Sequence, residues 1–189
     1  MIRTLVTKHP LLLLLLLQLL QALQALKIDR VYLGIPEESR DEYDELWEEF
    51  YGTGPTRPFT KKKFERISIL QPGRQLSDPS YCDHLVRERN VQHKLNCLKE
   101  HYFVIMEFSE MQTLCYSKYV PCKNGVKKCI RSKNTVEGLY CKLTGGTKLP
   151  DCKYESVERR GYVLFTCRWQ DDIQSLTPEK INDIVVPSQ

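Results

Sequence analysis

The chain has few histidines and none in its last third: they are His9, His84, His93 and His101. It has no Asn-X-Ser/Thr sequence, so N-linked glycosylation is excluded. Neighbouring cysteines are never closer than seven residues, which excludes CxxC knuckles. We therefore expect no metal centre, and no motif in the sequence indicates a cofactor.

The longest apolar run lies in residues 1–25. A short basic start precedes an unbroken leucine run over 11–17, and alanines occupy both ends of 22–25. This layout is typical of a cleaved secretory signal peptide. The run is shorter than the roughly 20 residues that a membrane span needs, although a retained signal anchor is the alternative. We predict a secreted, extracellular protein.

The cysteines are eight in number, an even count that favours four disulfides in an oxidising compartment. All lie between Cys82 and Cys167, which indicates one domain of ordinary size. The count alone leaves about 105 possible pairings open.

Charge divides the rest of the chain. Residues 26–55 hold nine acids and three bases, a net of −6, whereas 56–170 hold 22 bases and 11 acids, a net of +11. We predict an acidic leader with one amphipathic helix over 26–56, and a globular domain with a polar C-terminal tail over 57–189. A basic body favours anionic partners such as nucleic acid, sulfated glycans or membrane surfaces. The alternative is a basic domain with no such ligand.

Helical patterns come early and strand patterns late. A capping box at Ser39 and Glu42 predicts a leader helix that ends before Gly52. Further helices are predicted from about Thr60, over 81–90, and over 109–116 with Ser109 as its cap. Short strands are predicted over 102–106, 128–131, 136–143, 152–157 and 162–168. Helices followed by an antiparallel sheet predict an α+β domain.

The spacing of the cysteines is distinctive. Successive gaps are 15, 18, 7, 7, 12, 11 and 15 residues, Cys122–Cys129 reads CKNGVKKC, and 63–66 reads KFER. Together these resemble the pancreatic ribonuclease family over about residues 57–170. The resemblance implies a ribonuclease A-like fold with three short helices, a bent antiparallel sheet and four disulfides. The implied pairs are Cys82 with Cys141, Cys97 with Cys152, Cys115 with Cys167, and Cys122 with Cys129.

The family's catalytic groups are missing. RNA cleavage there needs two histidines, whose pKa lies near neutral pH, and a lysine that stabilises the charged intermediate. The first histidine position is Ser68, the lysine position is Leu98, and no histidine follows Cys167, where one is expected about nine residues on. Each proton-transfer group contributes roughly 10² to 10⁴-fold, so we predict no enzymatic activity. The alternative is weak cleavage by relocated groups, for which His101 and Lys99 are the candidates.

Some phosphate-binding positions keep their charge. By resemblance, Lys63, Arg66 and Lys123 match residues that hold flanking phosphates, whereas Ile67 and Tyr102 replace residues that contact and read the substrate. Weak, salt-sensitive and sequence-blind binding follows. The expected partners are RNA bound weakly, glycans, and sperm or bacterial membranes, with the protein itself a monomer. Alternatively, these cations form a solvated surface.

The resemblance is strongest to an inactive, epididymal branch of the family. It implies a role in sperm maturation in the male reproductive tract. A cationic antimicrobial protein of host defence, using exposed apolar residues such as Trp169, is the alternative. The leader helix suggests a further hypothesis, in which its acidic residues dock on the basic body and shield the phosphate-binding side chains.

Overall fold

The computed structural model describes residues 14–21, 35–36, 39–51, 60–73, 76–170 and 173–187. Residues 14–21 form an exposed helical stretch. Across these described ranges, no helix is long and apolar enough to cross a membrane. Both ends of the predicted signal peptide and the segment 53–59 lie outside the described residues.

The chain divides into two compact units, Met1–Asp44 and Glu45–Gln189. The sequence placed the boundary between leader and domain after residue 56. Glu45, within the leader helix, belongs to the larger unit and forms an ion pair with Arg66. The boundary expected after residue 56 stays a prediction.

Four helices have defined ends: α1 Arg40–Tyr51, α2 Lys61–Ser68, α3 Tyr81–Glu88 and α4 Phe108–Leu114. Thr60 caps α2, since its hydroxyl oxygen accepts from the Lys63 amide at 3.2 Å. The predicted cap of α4 is wrong. The helix begins at Phe108, which is buried, so Ser109 lies inside it. The Ser109 carbonyl oxygen accepts from the Thr113 hydroxyl at 2.9 Å.

In the described part of the chain the sheet has five strands, the first of which precedes α4: β1 Glu100–Val104, β2 Val120–Pro121, β3 Lys127–Gly145, β4 Lys153–Gln170 and β5 Ser175–Val185. The antiparallel order is β1-β3-β4-β5, and β2 pairs with β3 at its edge. The runs predicted as separate strands over 128–131 and 136–143 are two parts of β3, and those over 152–157 and 162–168 are two parts of β4. The helices and the antiparallel sheet form the α+β fold that the sequence predicted.

An irregularity in the ladder explains the gap between the two parts of β3. Arg131 pairs with Leu164 and Thr135 with Tyr162, so β3 holds two extra residues there. Ser132 is buried, and its hydroxyl accepts from the Val163 amide at 2.9 Å. The side chain thus replaces a missing backbone partner, and the strand continues through the bulge.

The polar C-terminal tail expected from the sequence is β5. Ile181 and Ile184 are 4% and 1% exposed and belong to the core. Gly138 on β3 makes room for this strand, since a Cβ there would lie 2.6 Å from the Ile184 Cδ1 atom. Because charged residues lie next to the two isoleucines, the sequence did not show the apolar pattern that predicts a strand.

Two large apolar clusters form most of the core, and a small third one contains Leu164 and the Cys122–Cys129 disulfide. Of the two large clusters, one packs α2 and α4 against the sheet through Phe64, Phe108 and Phe165, and the other packs α3 against β1 and β3. Disulfides join Cys82 to Cys141, Cys97 to Cys152, Cys115 to Cys167, and Cys122 to Cys129, the pairs that the resemblance implied. The first three span 59, 55 and 52 residues. In the chain-entropy model each stabilises the fold by about 4 kcal/mol.

Candidate functional site

A cavity of about 350 Å³ opens between β1, the loop before β3, and β5. Polar and charged side chains predominate in its wall, which is formed by Glu100, His101, Tyr102, Lys123, Asn124, Lys180, Ile181 and Asn182. The Cys122–Cys129 disulfide closes the loop, and Gly125 adopts a positive φ of 79° that suits its tight turn. The loop thereby holds Lys123 against β1.

Lys123 forms an ion pair with Glu100 and a hydrogen bond with Tyr102. Its ammonium group donates to a Glu100 carboxylate oxygen at 2.5 Å and to the Tyr102 hydroxyl oxygen at 3.1 Å. The same Glu100 oxygen accepts from the Tyr140 hydroxyl at 3.3 Å. Hydrogen bonding to Glu100 is the main reason that the pKa of Lys123 lies well above its usual value. A phosphate must compete with this carboxylate to reach the lysine.

Two stacked tyrosines, Tyr102 and Tyr140, lie beside Lys123, and the resemblance implies that Tyr102 stands at the base-reading position. The Tyr102 and Tyr140 rings lie 4.9 Å apart, and the Arg159 guanidinium lies 4.2 Å from the Tyr140 ring centroid. Arg159 also pairs with Asp183 at 3.2 Å. Tyr102 is buried, and desolvation raises its pKa to about 12. Its hydroxyl is already engaged by Lys123.

His101 holds the end of α2 to β1. Its Nε2 lies 2.6 Å from the Ile67 carbonyl oxygen, which can only accept, so this nitrogen carries the proton. Its ring packs edge-on against Phe103, with centroids 4.7 Å apart. Desolvation lowers the pKa of His101 to about 4. At neutral pH the ring is uncharged and its N–H group is occupied, which opposes a relocated acid/base role.

The two degenerate catalytic positions are structural. Ser68 is buried at the end of α2, and a serine hydroxyl is no base near pH 7. Leu98 packs beside the apolar cluster around α3, and its carbonyl accepts from the Tyr154 hydroxyl at 2.9 Å. Lys99 is exposed and does not line the cavity. Lys99 therefore does not replace the lysine that is missing at position 98.

The three predicted phosphate-binding cations do not converge. Arg66 lies in a second, open groove of about 580 Å³, where it forms the ion pair with Glu45 and donates to the Arg89 carbonyl. Arg89 donates in turn to the Arg66 carbonyl at 2.9 Å and stabilises the end of α2. Lys63, on the same helix, lines neither of these two cavities. The partner of Arg66 is Glu45 of the leader helix, and the hypothesis that this helix shields the basic body stays a prediction.

Sequence reasoning gave no role to five residues of the cavity wall: Glu100, Asn124, Lys180, Ile181 and Asn182. The position nine residues past Cys167 is Leu176, whereas the cavity wall holds Lys180, 13 residues past that cysteine. Three of the five lie on β5, which had been taken for a tail. The apolar positions of β5 were the available signal for them. Nothing in the sequence marked Glu100 as a partner of the loop lysine.

Within the described ranges, histidine, cysteine, aspartate and glutamate form no group of three that could hold a metal ion.

Comparison with known proteins gives consistent matches. The profile of the pancreatic ribonuclease family, described as "Pancreatic ribonuclease", matches residues 59–182 and so extends through most of β5, beyond the predicted limit near 170. The "Inactive ribonuclease-like protein 9" of Papio anubis is 53% identical over 100% of this chain and 93% of its own length. The proteins of the same name from Pongo pygmaeus and Gorilla gorilla gorilla are 51% and 49% identical, with the same coverage.

Proposed function

The chain belongs to the pancreatic ribonuclease family, and we propose that this inactive ribonuclease-like protein is secreted and acts by binding polyanions and cell surfaces. The observation that carries the proposal is the state of the cavity lined by Lys123, Tyr102 and His101. Its loop lysine is paired with Glu100, its base-reading position is filled by Tyr102, and its one histidine is uncharged. What survives of the scaffold is a rigid, disulfide-linked and basic body.

The chain is not an enzyme. Its relatives are named as inactive, and the residues that would perform the chemistry are Ser68 and Leu98 instead of histidine and lysine. His101 cannot supply both proton transfers alone, because one step needs a base and the other an acid. The cleavage reaction therefore lacks both partners and its charge stabiliser.

Net charge supports a polyanion as the ligand. Residues 56–170 carry a net charge of +11, and neutralising phosphates or sulfates would release their counterions. Such binding is sequence-blind because it reads charge and not base edges. From the resemblance to the epididymal branch, we propose that the relevant surfaces are those of sperm maturing in the male reproductive tract.

One observation favours host defence as a second candidate. Trp169 is 46% exposed on β4, and Tyr116, which hydrogen-bonds to Ser175 of β5 at 3.1 Å, is 64% exposed. Exposed Trp and Tyr side chains suit a membrane interface. Killing of bacteria that disappears in Trp169→Ala but survives Lys123→Gln would support this candidate.

The test combines cleavage and binding with the refolded, fully oxidised full chain. Turnover of yeast RNA and of a fluorogenic dinucleotide is measured across pH 5 to 8, beside an active pancreatic-type ribonuclease. Binding to heparin, to single-stranded RNA and to phosphatidylserine vesicles is measured at 50 mM NaCl. We expect no turnover together with salt-sensitive binding to at least one polyanion. Absence of binding to all three would refute the proposal.

A further inference from the structure

We propose that a linear sulfated glycan binds along the outer face of the β3–β4 pair, at a surface formed by Lys127, Arg131, Lys133 and Arg160. We call this surface the outer basic strip. The inference rests on the polyanion-binding function proposed above and assigns it to a site outside the cavity that Lys123 lines.

The strand register places Arg131 on the face of the sheet opposite to the apolar cluster that contains Phe64. Ile130 pairs with Phe165, and both belong to the core cluster that contains Phe64. Side chains alternate between the two faces of a strand, so Arg131 points the other way. Its cross-strand partner Leu164 packs on that outer face beside the Cys122–Cys129 disulfide. All four cations of the strip are exposed.

The bulge in β3 presents Lys133. The buried Ser132 hydroxyl accepts from the Val163 amide and donates to the Asn134 carbonyl at 2.7 Å. These bonds turn Ser132 inward, and the next residue, Lys133, is therefore displayed outward. A bulge commonly re-aims a side chain at a functional surface. Here it brings a second cation next to Arg131 on the outer side of the sheet.

The charges of the strip remain available. Arg131 lies 4.8 Å from the Tyr162 ring centroid, a contact that orients the guanidinium without cancelling its charge. None of the four cations forms an ion pair with another residue in the described part of the chain. Glu137 lies opposite Arg160 and offsets one charge of the strip. This contrasts with Lys123 and Arg66, which are both paired with carboxylates.

The shape of the strip favours a glycan over RNA. Lys127, Arg131 and Lys133 follow one strand, and at about 3.3 Å per residue they span about 20 Å, which suits an extended chain of sulfates. Single-stranded RNA is held mainly by bases stacked on aromatic rings. Within the strip, Arg131 already lies over one face of the Tyr162 ring, 4.8 Å from its centroid.

The test is the salt dependence of affinity for a heparin octasaccharide, measured by titration calorimetry from 50 to 200 mM NaCl. The strip variant is Arg131→Gln/Lys133→Gln. The matched control is Lys118→Gln/Lys148→Gln, which removes the same charge from exposed loop positions. Near-ultraviolet circular dichroism checks that each variant keeps its fold.

We expect the strip variant to lose two contacts. At about 0.7 per contact, the slope of log affinity against log salt falls by about 1.4. At 0.1 M NaCl this is a loss of about 25-fold in affinity, against less than threefold for the control. Wild-type binding that the strip variant retains, or that only Lys123→Gln weakens, overturns the inference and leaves the proposed function standing. Tighter binding of single-stranded RNA through the same residues assigns the strip to RNA instead, whereas no wild-type binding to any polyanion refutes both.

Discussion

Replacing His101 should change how the fold responds to acid. The folded protein holds this imidazole neutral down to a pKa of about 4, whereas in the unfolded chain it titrates near its ordinary value of 6.5. Between these two values the unfolded state binds a proton that the folded state does not. Stability is therefore complete above about pH 6.5 and falls as the pH decreases towards 4. At about 1.4 kcal/mol per pKa unit, the loss reaches about 3 kcal/mol.

The assay is denaturation by guanidinium chloride at pH 7.0, 5.5 and 4.0, with the disulfides intact. His101→Gln keeps a donor for the Ile67 carbonyl and cannot titrate. The variant starts less stable at pH 7.0, because it loses the ring contact with Phe103. The difference between wild type and variant should then shrink by about 3 kcal/mol at pH 4.0. Exposed His84→Gln controls for the loss of a histidine as such, and a constant difference at all three values of pH would refute the reasoning.

Three further changes test the cavity and the core. Glu100→Gln should release Lys123 for one more phosphate contact, so the slope of log affinity against log salt for single-stranded RNA should steepen by about 0.7. An unchanged slope in filter binding would show that the ion pair with Glu100 does not restrain the lysine. Gly138→Ala should cost about 1–3 kcal/mol in denaturation, since its Cβ would lie 2.5 Å from the Phe103 carbonyl oxygen, whereas Gly145→Ala, with 3.8 Å to its nearest neighbour, should be nearly neutral. Ser68→His restores one imidazole yet should give no turnover of a fluorogenic dinucleotide, and measurable turnover would mean that another residue supplies the acid.

Much of the fold could be predicted because its signals are local or covalent. Cysteine spacing and the KFER segment were enough to indicate the family, and helical periodicity located α2 and α3 to within a residue or two. The identity of β5 depended on a long-range contact, the room that Gly138 leaves for Ile184, which no local pattern reports. The continuity of β3 likewise depended on Ser132 bonding to a residue 31 positions away.

The candidate site was harder to predict than the fold. The sequence shows directly that the catalytic histidines and lysine are missing, because cysteine spacing and the KFER segment locate their positions. It does not show which carboxylates pair with the remaining cations, because those partners are distant in sequence. Lys123 meets Glu100 across 23 residues, and Arg66 meets an acid of the leader helix. A charge that survives in the sequence is therefore not necessarily a charge offered to a ligand.

The distribution of the disulfides has a consequence for how well the protein resists proteolysis. Every cysteine lies at or before Cys167, whereas β5 begins at Ser175. This strand is thus attached to the sheet by hydrogen bonds and packing alone, and it can detach while all four crosslinks stay closed. Local opening of this kind exposes backbone to proteases well before global unfolding does. Peeling of the carboxyl-terminal strand, and not rupture of the crosslinked body, should therefore set the protein's lifetime in a protease-rich fluid.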